Sequence, residues 1–125
     1  MKPMRKVEHV IVGAGLAGLV MARFLKDRNI ALLDPSPFAY KIGESLIPEL
    51  FRHPELAALL DDVRKLPSYT EKHGTTFVGH EEVACFPLAS IESNISMHVF
   101  RSELEALFAA RWRSPIERAR MIGVD

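Results

Sequence analysis

The sequence predicts an α/β fold centred on a parallel sheet, and three observations predict it. An apolar strand, Val7-Glu8-His9-Val10-Ile11-Val12, runs directly into the glycine turn Gly13-Ala14-Gly15-Leu16-Ala17-Gly18. Apolar residues Leu16, Leu19, Val20, Phe24 and Leu25 then recur at helical spacing, and Lys26-Asp27-Arg28-Asn29 closes that helix with polar side chains. A second apolar run, Ile30-Ala31-Leu32-Leu33, ends on Asp34. Strand, glycine turn, helix, strand and acid within about 30 residues form the arrangement that binds a dinucleotide.

Each part of that unit has a physical task. Gly13 turns the chain sharply out of the strand, where a Cβ would be strained. Gly15 leaves room for a pyrophosphate to approach the backbone, and Gly18 allows close packing of helix on sheet. The helix beginning near Gly15 points its free N–H groups and positive dipole end at the phosphates. Asp34 falls about 20 residues beyond the first glycine, the spacing of a ribose-binding acid. A carboxylate there accepts hydrogen bonds from ribose hydroxyls and repels a 2′-phosphate, which favours FAD or NAD over NADP. The competing reading is a glycine-rich turn in an ordinary βα unit, with Asp34 a strand-end turn residue before Pro35.

The basic start Met1-Lys2-Pro3-Met4-Arg5-Lys6 followed by apolar residues superficially resembles a secretory signal. Glu8, His9 and Arg23 interrupt the run, and no stretch of about 20 uninterrupted apolar residues spans a bilayer. The expectation is a soluble, cytoplasmic protein. A length of 125 residues suits one domain, burying roughly two-thirds of its unfolded surface. Sixteen basic and sixteen acidic residues give zero net charge, so nothing draws the chain globally to nucleic acid or acidic membranes. The single cysteine, Cys85, forms no internal disulfide and, among Val83, Ala84 and Phe86, reads as a small core residue.

Beyond Pro35-Ser36-Pro37 an irregular loop runs through Gly43-Glu44-Ser45, and residues Pro48 to Phe51 suit a short helical turn. Residues Glu55 to Leu66 predict a helix with Leu56, Leu59, Leu60 and Val63 on one face. Thr75 to Val78 and Glu82 to Phe86 read as two strands joined tightly by Gly79-His80-Glu81. Ser102 is placed to cap a helix from Glu103 to Trp112, with Glu105 in its first turn and Leu104, Leu107 and Phe108 buried. Pro115 ends that pattern, and Met121-Ile122-Gly123-Val124 suits another strand.

Several other motifs fail on inspection. His80-Glu81-Glu82-Val83-Ala84 has Ala84 where a second zinc ligand belongs, and the five histidines are scattered singly, so no metal site is expected. Gly43-Glu44-Ser45-Leu46-Ile47 has Ile47 where a nucleophile elbow needs glycine. Asn94-Ile95-Ser96 is a formal sequon in a chain without a secretion signal. Arg111-Trp112-Arg113, with Arg118 and Arg120, reads as a solvated basic helix end rather than a nucleic-acid contact.

Four segments together carry a family resemblance: the glycine turn, then Lys41-Ile42-Gly43-Glu44-Ser45-Leu46-Ile47-Pro48, then Glu71-Lys72-His73-Gly74-Thr75-Thr76-Phe77, then Phe100-Arg101-Ser102-Glu103-Leu104. In this order the chain resembles the amino-terminal part of flavin-dependent halogenases, within the FAD monooxygenases related to p-hydroxybenzoate hydroxylase. The fold it implies is a partial Rossmann-like FAD-binding fold, a βαβ unit with a small β-hairpin and helices. Residues 1–125 would then be a single, truncated FAD-binding domain.

The resemblance also assigns roles. Gly13, Ala14, Gly15, Leu16, Ala17, Gly18 and Asp34 would hold the adenosine half of FAD. The loop at Gly43, Glu44, Ser45 and Pro48 would lie beside the isoalloxazine, and Arg101 would reach the FAD from the start of its helix. Lys72 resembles the family's active-site lysine, which directs hypohalous acid, made from a flavin hydroperoxide and halide, onto an electron-rich carbon. The implied partners are an aromatic or phenolic substrate, free or carrier-bound, and a reductase supplying reduced flavin. The Trp-x-Trp-x-Ile-Pro signature of many halogenases does not occur, and the sole tryptophan, Trp112, is no part of one. A hydroxylase or reductase segment, or an inert nucleotide-binding fragment, remain the alternatives. The resemblance also leads one to expect a sheet without its third parallel strand.

Overall fold

A computed structural model describes residues 4–87 and 96–123. The first elements are β1 (His9–Val12), α1 (Leu16–Phe24), β2 (Ile30–Leu33) and β3 (Ser45–Leu46). A 3₁₀ turn (Pro48–Arg52) leads to α2 (Pro54–Ala57), α3 (Leu60–Val63), β4 (Thr70–Glu71), β5 (Gly74–Val78) and β6 (Val83–Pro87). Last come β7 (Met97–His98), α4 (Arg101–Trp112) and β8 (Ile116–Glu117). The chain divides into two compact units, Met1–Lys41 with Arg101–Asp125, and Ile42–Phe100.

The first unit is the predicted βαβ fold. Its sheet runs in the order β1-β2-β8, with every pair parallel and His9 opposite Ile30. The apolar run of β2 packs against α1, which in turn packs against α4, and Ile30, Ala31 and Leu32 are buried, as are Leu19, Ala22, Leu104 and Phe108. β8 overturns the expectation of a sheet without its third parallel strand. Only Leu32 with Ile116 and Leu33 with Glu117 pair, a ladder too short to leave a strand pattern in sequence. Asp34 N donates to Glu117 O at 3.0 Å and extends it. β1 and β8 are the edges of this sheet among the described residues, and on β1 Val10 and Val12 are about half exposed.

Helix α4 begins at Arg101, so Ser102 lies inside the helix rather than capping it. Its buried face includes Glu105 as well as Leu104, Phe108 and Ala109. The helix stops because Arg113 takes a left-handed φ of 51°. Ser114 N then donates to Ala109 O at 3.0 Å, satisfying a terminal carbonyl. Residues 121–123 form no strand, and Val124 lies outside the described residues.

The second unit has a core of Leu46, Leu56, Leu59, Val63, Met97 and Val99. The helix expected over 55–66 is split into α2 and α3 at Ala58–Leu59, although Leu56, Leu59 and Val63 still face inward as their spacing predicts. Three short strands pair antiparallel in the order β3-β7-β4. β5 and β6 form the expected hairpin, with Gly79 N donating to Glu82 O at 2.8 Å across the turn. This hairpin stands as a two-stranded sheet, which corrects the reading of Cys85 as a core residue. Cys85 is exposed, as are Phe77, Val78, Val83 and Phe86, because two strands alone bury neither face. Asn94 and Ile95 of the sequon lie outside the described residues. Among the described residues no helix is long and apolar enough to cross a membrane, and no cluster of side chains suits a metal ion.

Candidate functional site: a glycine turn and a lysine-bearing loop

The glycine turn links β1 to α1, and its three glycines are glycine for three different reasons. Gly13 has a φ of 99°, which L side chains avoid. A Cβ on Gly18 would come within 1.9 Å of Gly13 O, so α1 can cross the turn only without one. Gly15 meets neither constraint. Its φ of −72° and ψ of −178° are open to any residue. A Cβ there would meet only Glu105 Oε1, at an ordinary contact distance of 3.6 Å. Nothing in the fold of this unit requires glycine at position 15, whereas a phosphate group resting on the backbone would.

The turn is fastened from below by Asp34. Its Oδ2 accepts a hydrogen bond from Ala14 N at 2.8 Å, and its Oδ1 accepts one from Ser36 N at 2.8 Å. Asp34 is buried, as is Ala14. The carboxylate therefore shapes the turn and starts the loop after β2, with one lone pair on each oxygen still available to a further donor. The N-terminus of α1 carries no side-chain cap and no acid in its first turn, which leaves its amides and positive dipole end for an anion.

Sequence reasoning missed the charged cluster beside this turn. Glu105 is fully buried on α4. Its Oε2 accepts from Lys41 Nζ at 2.6 Å and its Oε1 from Arg101 Nη2 at 3.1 Å. The only signal in sequence was the i,i+4 spacing of Arg101 and Glu105. Arg101 Nε is itself buried, with no hydrogen-bond partner among the described residues. These observations fit a dinucleotide pyrophosphate: uncapped helix amides, a glycine without a packing reason, two cations and a buried donor awaiting an acceptor.

The other predicted residues lie in the second unit. Gly43 takes a φ of 107°, so the loop into β3 needs glycine there. Ser45 on β3 and Lys72 just after β4 are brought together, with Lys72 Nζ donating to Ser45 Oγ at 3.3 Å. Lys72 N also donates to Ser96 O at 2.9 Å, which fixes its backbone against the chain entering β7. Glu44 Oε2 lies 3.2 Å from Nε2 of His98, a residue that sequence left as one histidine among five. The β-pairing explains the convergence, since Ser45 and Thr70 both stand opposite His98. The basic residues at the end of α4 fall elsewhere: Trp112 and Arg113 line a cavity of about 300 Å³ with Arg5, Arg23, Lys26 and Arg28.

No family model matches the chain, and no curated protein matches it. Solved structures do. PqsL, a probable FAD-dependent monooxygenase from Pseudomonas aeruginosa, is similar with a TM-score of 0.69 at 18% identity, over 89% of this chain and 32% of PqsL. The myxobacterial chondrochloren halogenase CndH, a variant of the FAD-dependent halogenases, gives 0.69 at 20% identity, over 88% of this chain and 27% of its own. A flavoprotein/dehydrogenase from Cytophaga hutchinsonii gives 0.67 at 26% identity, over 90% of this chain and 30% of its own. The chain thus spans about a third or less of each structure it matches. It has the α/β fold that FAD-dependent halogenases and monooxygenases share.

Proposed function

We propose that this chain supplies the FAD-binding segment of a flavin-dependent, halogenase-like oxidoreductase. The observation that carries the reading is Gly15, whose lack of a side chain neither its backbone angles nor its packing explains. A pyrophosphate lying against that backbone explains it. Asp34 would hold the ribose through its remaining lone pairs while it keeps Ala14 in place. Arg101 would donate its buried Nε–H to the cofactor.

Bound in reduced form, FAD would supply together with dioxygen the two-electron oxidation of halide to the oxidant hypohalous acid, with water as the other product. Lys72 would hydrogen-bond that oxidant through Nζ and aim it at an electron-rich aromatic or phenolic carbon. Ser45, 3.3 Å away, would hold the ammonium in place. Gly43, Glu44 and Ser45 would present the loop to the flavin ring. A flavin reductase would deliver the reduced cofactor.

The test is an FAD titration of the 125-residue chain by flavin fluorescence, with ADP as competitor. Saturable binding displaced by ADP, and lost in Gly15→Val, is expected. Binding that survives Gly15→Val removes the basis of the reading. A second reading, hydroxylation without halogenation, draws support from the similarity to the monooxygenase PqsL. In that case Lys72 is a bystander, and Lys72→Ala leaves turnover of the full-length enzyme unchanged.

A further inference from the structure

Glu105 poses a problem that the proposed function does not solve. An acid beneath a phosphate-binding turn repels the ligand, and full burial adds a desolvation cost that an apolar residue on α4 would avoid. A buried ion pair is a poor device for stability alone. What the carboxylate does accomplish is geometric. One oxygen holds Arg101 Nη2 and the other holds Lys41 Nζ, cations from the two separate chain segments that make up the unit. Oε1 also lies 3.6 Å from the place a Cβ of Gly15 would occupy, so the cluster sits directly against the turn.

We propose that Glu105 is a positioning residue that fixes Arg101 and Lys41 beside the glycine turn, where they receive the pyrophosphate of the dinucleotide. The inference rests on the FAD-binding reading above. Two positive charges against one negative leave the cluster of Lys41, Arg101 and Glu105 with a net positive charge. Arg101 keeps Nε–H free among the described residues, and the Lys41 ammonium has further N–H donors beyond the one given to Glu105. Without Glu105, two long side chains would have to be ordered by the ligand itself, at a cost in side-chain entropy on binding.

A double-mutant cycle on FAD affinity tests this, using Glu105→Gln, Arg101→Met and the double variant in the full 125-residue chain. Gln keeps the volume of Glu but loses the charge and one of its two acceptor oxygens. Each single change should weaken FAD binding about tenfold, and the double variant should fall well short of the roughly hundredfold product, because what Glu105 does through Arg101 is already lost and only its hold on Lys41 remains. ADP competition should weaken in parallel, whereas adenosine, lacking phosphate, should compete equally against wild type and Glu105→Gln. Losses that multiply, an unchanged Glu105→Gln affinity, or an equal loss for adenosine overturn the proposal and leave Glu105 a packing residue. If Glu105→Gln does not fold, Glu105→Asp carries the same cycle, since its shorter arm keeps the charge but cannot span both cations. A folded wild-type chain that binds no FAD overturns the function proposed above, and this inference with it.

Discussion

The two units of this chain prepare their candidate residues in opposite ways. In the first, backbone and buried carboxylates do the work: Asp34 pins the turn, Glu105 pins two cations, and both are buried. In the second, exposed or partly exposed side chains meet on or beside strands two residues long, as Lys72 meets Ser45 and His98 meets Glu44. Buried polar groups with all their partners hold a geometry before any ligand arrives. Exposed pairs are weak and screened, so their geometry depends on what packs against them. A binding turn gains from the first arrangement, while a residue that must reach a substrate needs the accessibility of the second.

The sharpest way to break this comparison lies within the turn itself. Gly18→Ala forces a Cβ to within 1.9 Å of Gly13 O, and thermal unfolding should record a loss of about 3 kcal/mol. Gly15→Val, three residues earlier, should shift the melting temperature by only about 2 °C while abolishing FAD binding. A large stability loss in Gly15→Val would make that glycine a packing residue after all.

Next in size is Asp34→Ala, which leaves the buried Ala14 N–H without its acceptor and frees the loop at Ser36. Denaturant titration should show about 2 kcal/mol lost, accompanied by weaker FAD binding. Stability intact with binding lost would mean that the carboxylate serves the ligand alone.

In the second unit the expected stability effects are small. Lys72→Ala should change stability by less than about 0.5 kcal/mol and FAD affinity by less than about twofold. In a full-length enzyme it should stop halogenation, and product analysis of that variant decides between the two functional readings. His98→Ala should likewise cost under about 0.5 kcal/mol, since the His98 side chain is 42% exposed. The smallest perturbation is labelling: Cys85 should react fully with a thiol reagent in the native chain, and protection would mean that the hairpin is covered.

The elements that were legible in sequence are those held by local chemistry. The glycine turn, β1, α1 and β2 follow from apolar runs, helical periodicity and residues demanding a particular φ, all encoded within a few neighbours. The hairpin of β5 and β6 was legible for the same reason, but the exposure of Cys85 was not. Alternation specifies a strand, and only the rest of a fold decides which face is buried. Ser102 was misread as a cap because α4 begins one residue earlier, at Arg101, which pairs with Glu105 one turn on.

By itself, then, the sequence determined the βαβ unit, the identity of its turn and the residues Asp34, Ser45, Lys72 and Arg101 as candidates. Tertiary structure alone decided that β8 completes the parallel sheet, because a ladder of Ile116 and Glu117 is too short to carry a pattern. It alone brought Lys72 to Ser45 and His98 to Glu44, through antiparallel pairings that join distant segments. It alone buried Glu105 between Lys41 and Arg101, turning what reads as a first-turn helix acid into the anchor of a charged cluster. Local sequence sets which backbone angles and periodicities are affordable, but which charges are desolvated together depends on contacts between residues far apart in the chain.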